Sequence, residues 1–395
     1  MNNLLSTDKL RVWGTDIDEG TISQAYKVAK LPILAGPVAL MPDAHVGIGS
    51  TVGTVIATKN AIVPSCVGVD IGCGMISVQL DLHKHELPSD LKQLVHEFTR
   101  SIPAGLAEAH SKTTSEAELW FANNSMPGIM PRGISAEQST RQLGTLGSGN
   151  HFVEICTDIM DSVWVVLHSG SRGIGNKIAN RHIDLAKKNF QTKLEDPDLA
   201  WLDEGTEEFA AYIEQMEWAQ RYAFQNRELM MNAALRQISY FLGKKGEPIF
   251  ELQRINCHHN FAKKEIIESQ TERGQIAWIT RKGAISARKD QWGIIPGSMA
   301  TGCYIVKGLG NPLSYYSSSH GAGRRMSRGQ AKRTLTVDSL KEMMGNRAWL
   351  DDKAQAFLDE HPDSYKSLDQ VMLDQTDLTR PIWKLESILN YKGSS

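Results

Sequence analysis

Four histidines stand where a short apolar run is expected to end in a Gly- or Asn-bearing turn: His151 in GSGNHFVE, His168 in VLHSGSRG, His259 in INCHHNFA and His320 in SSSHGAGRRMSR. Turns beside strands are where a rigid scaffold presents side chains to a ligand. Any one such histidine is more often a hydrogen-bonded structural residue. Four of them, together with the motif GVDIGCGM, point instead to a site. That motif places Asp70 and Cys73 three residues apart in a sterically open loop, where both can face one cation and the thiolate can bridge two. The bland alternative is an inert cysteine beside a turn-capping aspartate. With three imidazoles the donor set is one oxygen, one sulfur and three nitrogens. Mixed nitrogen and sulfur donors suit Zn²⁺, and a carboxylate with several imidazoles also suits Mn²⁺ or Fe²⁺. The metal therefore stays open, while an all-oxygen Ca²⁺ or Mg²⁺ site is excluded.

The arginines suggest phosphate. Arg172 follows His168 by four residues, and Arg324, Arg325 and Arg328 follow His320 by four, five and eight, so their planar forks can engage phosphates beside each imidazole. Gly321 and Gly323 leave backbone N–H groups free to turn toward the same anion. The segment TRKGAISARK adds Arg281, Lys282, Arg288 and Lys289, a basic concentration expected either to line a polyanion groove or to be a solvated turn. His320 differs from the other three histidines: three serines precede it, GAGR follows it, and no carboxylate or thiol is adjacent. A neutral imidazole is a competent nucleophile toward phosphorus once nearby cations have drawn off negative charge. Covalent catalysis is its expected role.

These residues need positioning elements. β-Branched runs between glycines predict strands around Thr54–Thr58, and further strands are expected at Ile76–Leu82, Ser162–Leu167, Gln275–Thr280 and Gly302–Val306. Residues 86–142 carry amphipathic segments. From Asn176 to about Gly243 the spacing of Phe209, Ile213, Met216, Ala219, Ala223 and Leu229 is helical, with Thr206 as an N-cap. This reads as a helical insertion, residues 176–243, between two sheet-forming halves. The last 60 or so residues are expected to be helical again, Ser367 and Gln370 having capping-box spacing. No Pro- or Ser-rich linker and no repeat divides the chain. The expected architecture is α+β, one compact unit over residues 1–395 with mixed sheets.

Composition narrows the class. At 395 residues, 41% hydrophobic and 22% charged, with 33 Gly and 14 Pro, the chain is ordinary globular material, so disorder, collagen and coiled coil are excluded. A net charge of −2 argues against a basic nucleic-acid coat, though it leaves room for a local basic groove. Five cysteines without a C-x-x-C pair fit a reducing compartment. No apolar run approaches the roughly 18 residues of a membrane span. The opening stretch MNNLLSTDKL has neither region of a secretory leader, so a cytoplasmic protein without membrane contact is expected.

In order along the chain, MPDAHVGIGSTVG, VGVDIGCGM, LGSGNHFVE, VLHSGSRGIG, CHHNFA, TRKGAI, IPGSMATGCYIV, SSSHGAGRRMSR and the terminal YKG resemble the RtcB family of RNA ligases. The resemblance runs from about residue 10 to 393 and includes the helical segment. It implies an enzyme that joins an RNA 3′-phosphate or 2′,3′-cyclic phosphate end to a 5′-hydroxyl end, using GTP and two Mn²⁺ ions. Residue by residue, it implies that Asp70, Cys73, His151, His168 and His259 hold the metals and that His320 becomes guanylylated. It also implies that Asn150, Asn260, Ser298 and Arg324 meet nucleotide phosphates and that Glu154, Tyr365 and Lys392 hold guanine or ribose. Arg172 and Arg328 match positions expected to serve the RNA end or a phosphate. The family's usual serine five residues after the Ser298 position is Cys303 here, a poor donor that weakens one nucleotide contact. GAISA is an altered, less basic version of a family segment, and together these departures suggest a divergent bacterial-type RNA-repair paralogue. A monomer is expected. The rivals to this reading are a metal-dependent phosphoesterase that forms no nucleotide adduct and a non-catalytic RNA-binding module.

Overall fold

The computed structural model describes residues 6–191, 193–267 and 274–393; the first half of the opening stretch and the two final serines lie outside the described residues. The fold is α+β and is organised around two large sheets. One has five strands in the order Leu10–Val12, Val38–His45, Val52–Thr58, Gln275–Lys282 and Asn260–Ile267; its first pair is parallel and the rest antiparallel. The other has seven strands, all antiparallel: Trp292–Pro296, Cys303–Gly308, Thr379–Lys392, Phe152–Thr157, Ser162–Ser169, Gly74–His83 and Glu251–His258. The central strand Ser162–Ser169 is buried almost throughout, as its continuous apolar run SVWVVL requires.

Helices close the seven-stranded sheet. The 35-residue helix Glu207–Phe241 starts where Thr206 accepts a hydrogen bond from the Phe209 N–H, and buries Phe209, Tyr212, Met216, Ala219, Ala223, Met230, Ala234 and Ile238 at intervals of three or four, or their sum. That stripe lies on the strands Gly74–His83, Ser162–Ser169 and Glu251–His258 and against the helix Arg172–Asn189. The largest apolar cluster joins the strands Gly74–His83, Phe152–Thr157 and Ser162–Ser169 to the helix Lys92–Ser101 and to Leu340, Trp349 and Phe357.

Two expectations are revised. The helical segment does not separate two halves: Glu251–His258, after it, pairs with Gly74–His83, before it, and Gln275–Lys282 pairs with Val52–Thr58. It is a crossover inside an interleaved topology, and a short turn at Pro197–Leu199 and a strand at Leu202–Asp203 interrupt it. Nor does the chain end in helix. After Leu368–Asp374, where the Ser367 side chain caps the Gln370 N–H but Gln370 turns its amide to Asp374, the 14-residue strand Thr379–Lys392 runs through the middle of the sheet.

Candidate active site

Strand register brings the donors together. His168 lies opposite Met75 on one side and Phe152 on the other, and Gly74 lies opposite both Ser169 and His258. Cys73, His151, His168 and His259 therefore sit at one end of four neighbouring strands. His151 reaches that end by starting its strand rather than finishing it. The result is a tight cluster: Cys73 Sγ is 3.4 Å from His151 Nε2 and 3.2 Å from His168 Nε2, His168 Nε2 is 3.3 Å from His259 Nε2, and His151 Nε2 is 3.2 Å from Asp70 Oδ2. Ligands held at about 2.0–2.3 Å from a common ion stand roughly 3–3.6 Å apart, so these separations suit coordination. Gly170 is required here, since a Cβ on it would fall 2.4 Å from both Asp70 oxygens.

The protonation pattern fits a cation. His151 Nδ1 donates to the Leu146 carbonyl (2.9 Å) and His168 Nδ1 to that of Asn150 (3.1 Å). Carbonyls only accept, so each Nε2 keeps its lone pair for the cluster. Burial, reinforced by neighbouring imidazoles, holds His168 and His259 well below the usual histidine range and so neutral. Burial would lift Asp70, but its contact with His151 keeps it below the ordinary carboxylate value. Burial and the Asp70 charge push the Cys73 thiol well up, so a thiolate here calls for a positive partner. Among the described residues, His259 Nδ1 is buried without a hydrogen-bond partner. Among the described residues, Cys73, His151 and His168 form a group able to hold a metal ion.

A cavity of about 450 Å³ opens on this cluster. Twelve of the fifteen residues singled out from the sequence line it: Asp70, Cys73, Asn150, His168, His259, Asn260, Ser298, His320, Arg324, Arg328, Tyr365 and Lys392. His151 stands behind Cys73 and Asp70. Glu154 is buried one layer down, accepting from Asn390 Nδ2 at 2.6 Å, and burial pushes its carboxyl up to about 7. Arg172 does not reach the cavity. Its guanidinium is buried and donates to Thr145 Oγ1 and to the Gly105 and Glu108 carbonyls, bracing the turn that carries His151.

His320 follows the strand Ser317–Ser319, and its ring centroid lies 4.7 Å from that of His259. Its Nδ1 is 2.6 Å from Asp43 Oδ2, and Nε2 makes no hydrogen bond among the described residues. The carboxylate that sequence neighbours do not supply comes from the strand Val38–His45 of the five-stranded sheet. The same Oδ2 accepts from the His320 and Gly321 N–H groups, so the Gly321 donor expected to meet an exogenous anion is already taken. On the far wall, buried Glu360 collects Arg324 and Lys392, each at 3.5 Å, together with Arg328 and the Tyr365 hydroxyl. Burial would raise Glu360, but Lys392 and Arg328 hold it below its usual value, an ionised hub that fixes the cationic wall.

Two expectations about charge and polarity change. The TRKGAISARK cations are not gathered in one groove: Arg281 is fully buried against Glu265, Lys282 is held by the Ile48 and Ser50 carbonyls, Arg288 is exposed but paired with the same Glu265, and Lys289 is exposed. Lys282 does reach the cavity lining, and burial pushes it down to about 8. Cys303 is wholly buried with Cys156, Trp164 and Ile294 and is no part of that lining, so its exchange for serine touches no cavity contact. Residues missed from the sequence include Asp43, which lies in the motif MPDAHVGIGSTVG but is assigned no role there, and Glu360, whose stretch FLDEHPD reads as ordinary acidic surface.

The family model described as tRNA-splicing ligase RtcB matches residues 24–393. RNA-splicing ligase RtcB of Escherichia coli K12 is 40% identical, with 99% of each chain covered, as is RNA-splicing ligase RtcB1 of another E. coli strain. The tRNA-splicing ligase RtcB of Nanoarchaeum equitans is 29% identical over 90% of this chain and 87% of its own. A buried thiol–imidazole cluster beside a carboxylate-held histidine, in a chain that the family model matches over residues 24–393 and that is 40% identical to the E. coli ligases over 99% of its length, makes this protein a member of the RtcB family of ligases.

Proposed function

We propose that this chain seals RNA, joining a 3′-phosphate or 2′,3′-cyclic phosphate end to a 5′-hydroxyl end at the expense of GTP. The observation that carries the reading is His320: one ring nitrogen is fixed on Asp43, the other is free on the wall of a cavity shared with the donor cluster. In the first step His320 Nε2 attacks the α-phosphorus of GTP; an N–P bond forms, the α–β P–O bond breaks, and pyrophosphate leaves. Asp43 keeps the proton on Nδ1 and stabilises the positive charge the ring acquires. Arg324 faces the developing phosphoryl charge, and Asn150, Asn260 and Ser298 line the same cavity. Asp70, Cys73, His151, His168 and His259 are the residues that would hold two Mn²⁺ ions, which supply charge neutralisation at phosphoryl oxygens when bound.

In the second step an oxygen of the RNA 3′-phosphate attacks the guanylyl phosphorus, His320 leaves with its lone pair restored, and an RNA–phosphate–GMP anhydride forms. A cyclic end is first hydrolysed to a 3′-phosphate. The 5′-hydroxyl then attacks the 3′-phosphate phosphorus, GMP departs, and the strand is continuous. Tyr365, Lys392 and, beneath them, Glu154 are assigned to the guanosine, with Arg328 beside the RNA phosphate; Arg172 braces the wall rather than touching substrate.

Incubation with α-labelled GTP and Mn²⁺ should leave an acid-labile, alkali-stable label on the protein, absent in His320→Ala. A panel of RNAs with defined ends should be ligated only in the 3′-phosphate or cyclic phosphate plus 5′-hydroxyl combinations. Hydrolysis of the cyclic end with no labelled protein would replace this reading with the phosphoesterase.

A further inference from the structure

The cationic wall of the cavity continues onto the outer surface. The stretch RRMSRGQAKR, residues 324–333, carries Arg324, Arg325, Arg328, Lys332 and Arg333 and no carboxylate. Arg324 and Arg328 line the cavity. Arg328 stands at its mouth: the side chain is 42% exposed, Nη1 holds Asp359 Oδ2 at 2.9 Å, and a Cβ on Gly149, next to Asn150, would fall 3.3 Å from Nη2. One turn on, the half-exposed Lys332 lies 3.8 Å from the other oxygen of Asp359. Arg333 is exposed, with no ion pair among the described residues. Its Nη1 lies 3.3 Å from where a Cβ on Gly329 would stand, so the guanidinium folds back along the helix Arg328–Thr334 toward Arg328.

The neighbouring carboxylates do not cancel this charge. Arg324, Arg328, Lys332 and Lys392 share Asp359 and Glu360, both buried, so four cations on two carboxylates leave a surplus of two, and Arg333 adds a third. Arg325 is not counted, because its N–H is bound to the Ser364 carbonyl beside the exposed Asp363.

We propose that Lys332 and Arg333 carry the RNA strand that ends in the 3′-phosphate, holding phosphates on its 5′ side while the terminal phosphate rests at Arg328. This rests on the ligase reading, which puts the RNA phosphate beside Arg328. Four helical residues advance about 6 Å, the scale of one nucleotide step, so the cations meet successive phosphates. An exposed strip of surplus charge favours a polyanion over a mononucleotide, because each phosphate neutralised releases condensed counterions.

Fluorescence anisotropy in Mn²⁺ without GTP tests it. For an oligouridylate of about ten nucleotides with a 3′-phosphate and a 5′-fluorophore, Lys332→Gln/Arg333→Gln should lower the affinity about tenfold and flatten the slope of log Kd against log salt by about 0.7 per cation removed. Arg333→Gln alone, which disturbs no ion pair, should give about half of that change in slope. Arg333→Lys, which keeps the charge, should retain the affinity. Uridine 3′-monophosphate, as competitor, should bind the natural and doubly substituted chains alike, since it reaches Arg328 only. Lys59→Gln should change nothing: Lys59 is exposed past the far end of the strand Val52–Thr58, whose first residue lines the cavity, about 20 Å away. Labelling of the natural chain by α-labelled GTP is measured on the same preparation. No adduct would overturn the ligase reading and the proposal with it. An adduct, but RNA affinity unchanged in the double variant, equal loss for uridine 3′-monophosphate, or the same loss for an oligonucleotide offering only a 5′-hydroxyl end, would overturn the strip alone.

Discussion

At the scale of single residues, the pairing of Asp43 with His320 carries the most chemical weight. An aspartate that accepts from an imidazole and two backbone N–H groups fixes both ring orientation and tautomer. Asp43→Asn keeps the shape but not the charge, and should slow guanylylation of His320 by about 100-fold or more. The readout is the rate constant of labelling in single turnover. A merely structural defect would lower the amplitude at an unchanged rate. No spacing rule finds this partner, because it lies 277 positions from His320, on a strand of the five-stranded sheet. The donors in GVDIGCGM and the Gly/Asn turns were legible because each motif is local. Glu154 gives a second prediction. Its carboxyl is raised from 4.5 to about 7 by burial, so unfolding releases a proton between those values and stability falls as pH climbs through that window. Glu154→Gln removes the penalty while its amide oxygen can still accept from Asn390. Urea melts at pH 5 and pH 8 should show the variant gaining up to roughly 3 kcal/mol on the natural chain at the higher pH. Equal pH dependence in both would show the carboxyl to be ordinary.

At the scale of elements, the site depends on how helices fasten strand ends. Arg227, fully buried on the helix Glu207–Phe241, donates to Asn256 Oδ1 (2.8 Å) and to the Gly72 (2.8 Å) and Ser169 (3.1 Å) carbonyls, and lies 3.1 Å from His258 Nδ1. It ties together the three segments bearing Cys73, His168 and His259. Arg227→Ala should cost about 3 kcal/mol or more, because it strands several buried acceptors at once. Thr206→Ala, at the exposed start of the same helix, should cost about 1 kcal/mol and leave the cluster intact. Urea melts set the two values side by side, and near equality would deny Arg227 its role. Thr206 and the apolar stripe were readable because helical periodicity is sustained over 35 residues. Thr379–Lys392 was not. Its burial does not alternate, Pro381 interrupts it, and a register shift between Ser387 and Leu389 breaks the pattern where it should be clearest.

At the scale of the whole molecule, the cavity is assembled from both sheets. His45 and Val52 come from the five-stranded sheet, while Phe152, His168 and Lys392 come from the seven-stranded one. Composition could not reveal this: a net charge of −2 coexists with a wall of Arg324, Arg328 and Lys392 gathered on Glu360, while Arg281 and Lys282, half the cations of the basic stretch TRKGAISARK, are buried in the fold. The proposed ligands come from residues 70 to 259 and meet only in the native state, so binding of a cation there is expected to appear as global stability. At 100 times its dissociation constant, a divalent ion that binds only the folded chain adds about 2.7 kcal/mol. For a chain of 395 residues that is roughly 3–5 °C in the unfolding midpoint. Mn²⁺ should therefore raise the midpoint of the natural protein by that amount, and chelation should reverse it. His168→Ala should lose the response, since His168 Nε2 lies near both Cys73 Sγ and His259 Nε2. His320→Ala should keep it, because that imidazole is committed to Asp43 and serves the phosphorus. A shift retained in His168→Ala would place the ion elsewhere, and a shift lost in His320→Ala would make a ligand of the residue assigned here as the nucleophile.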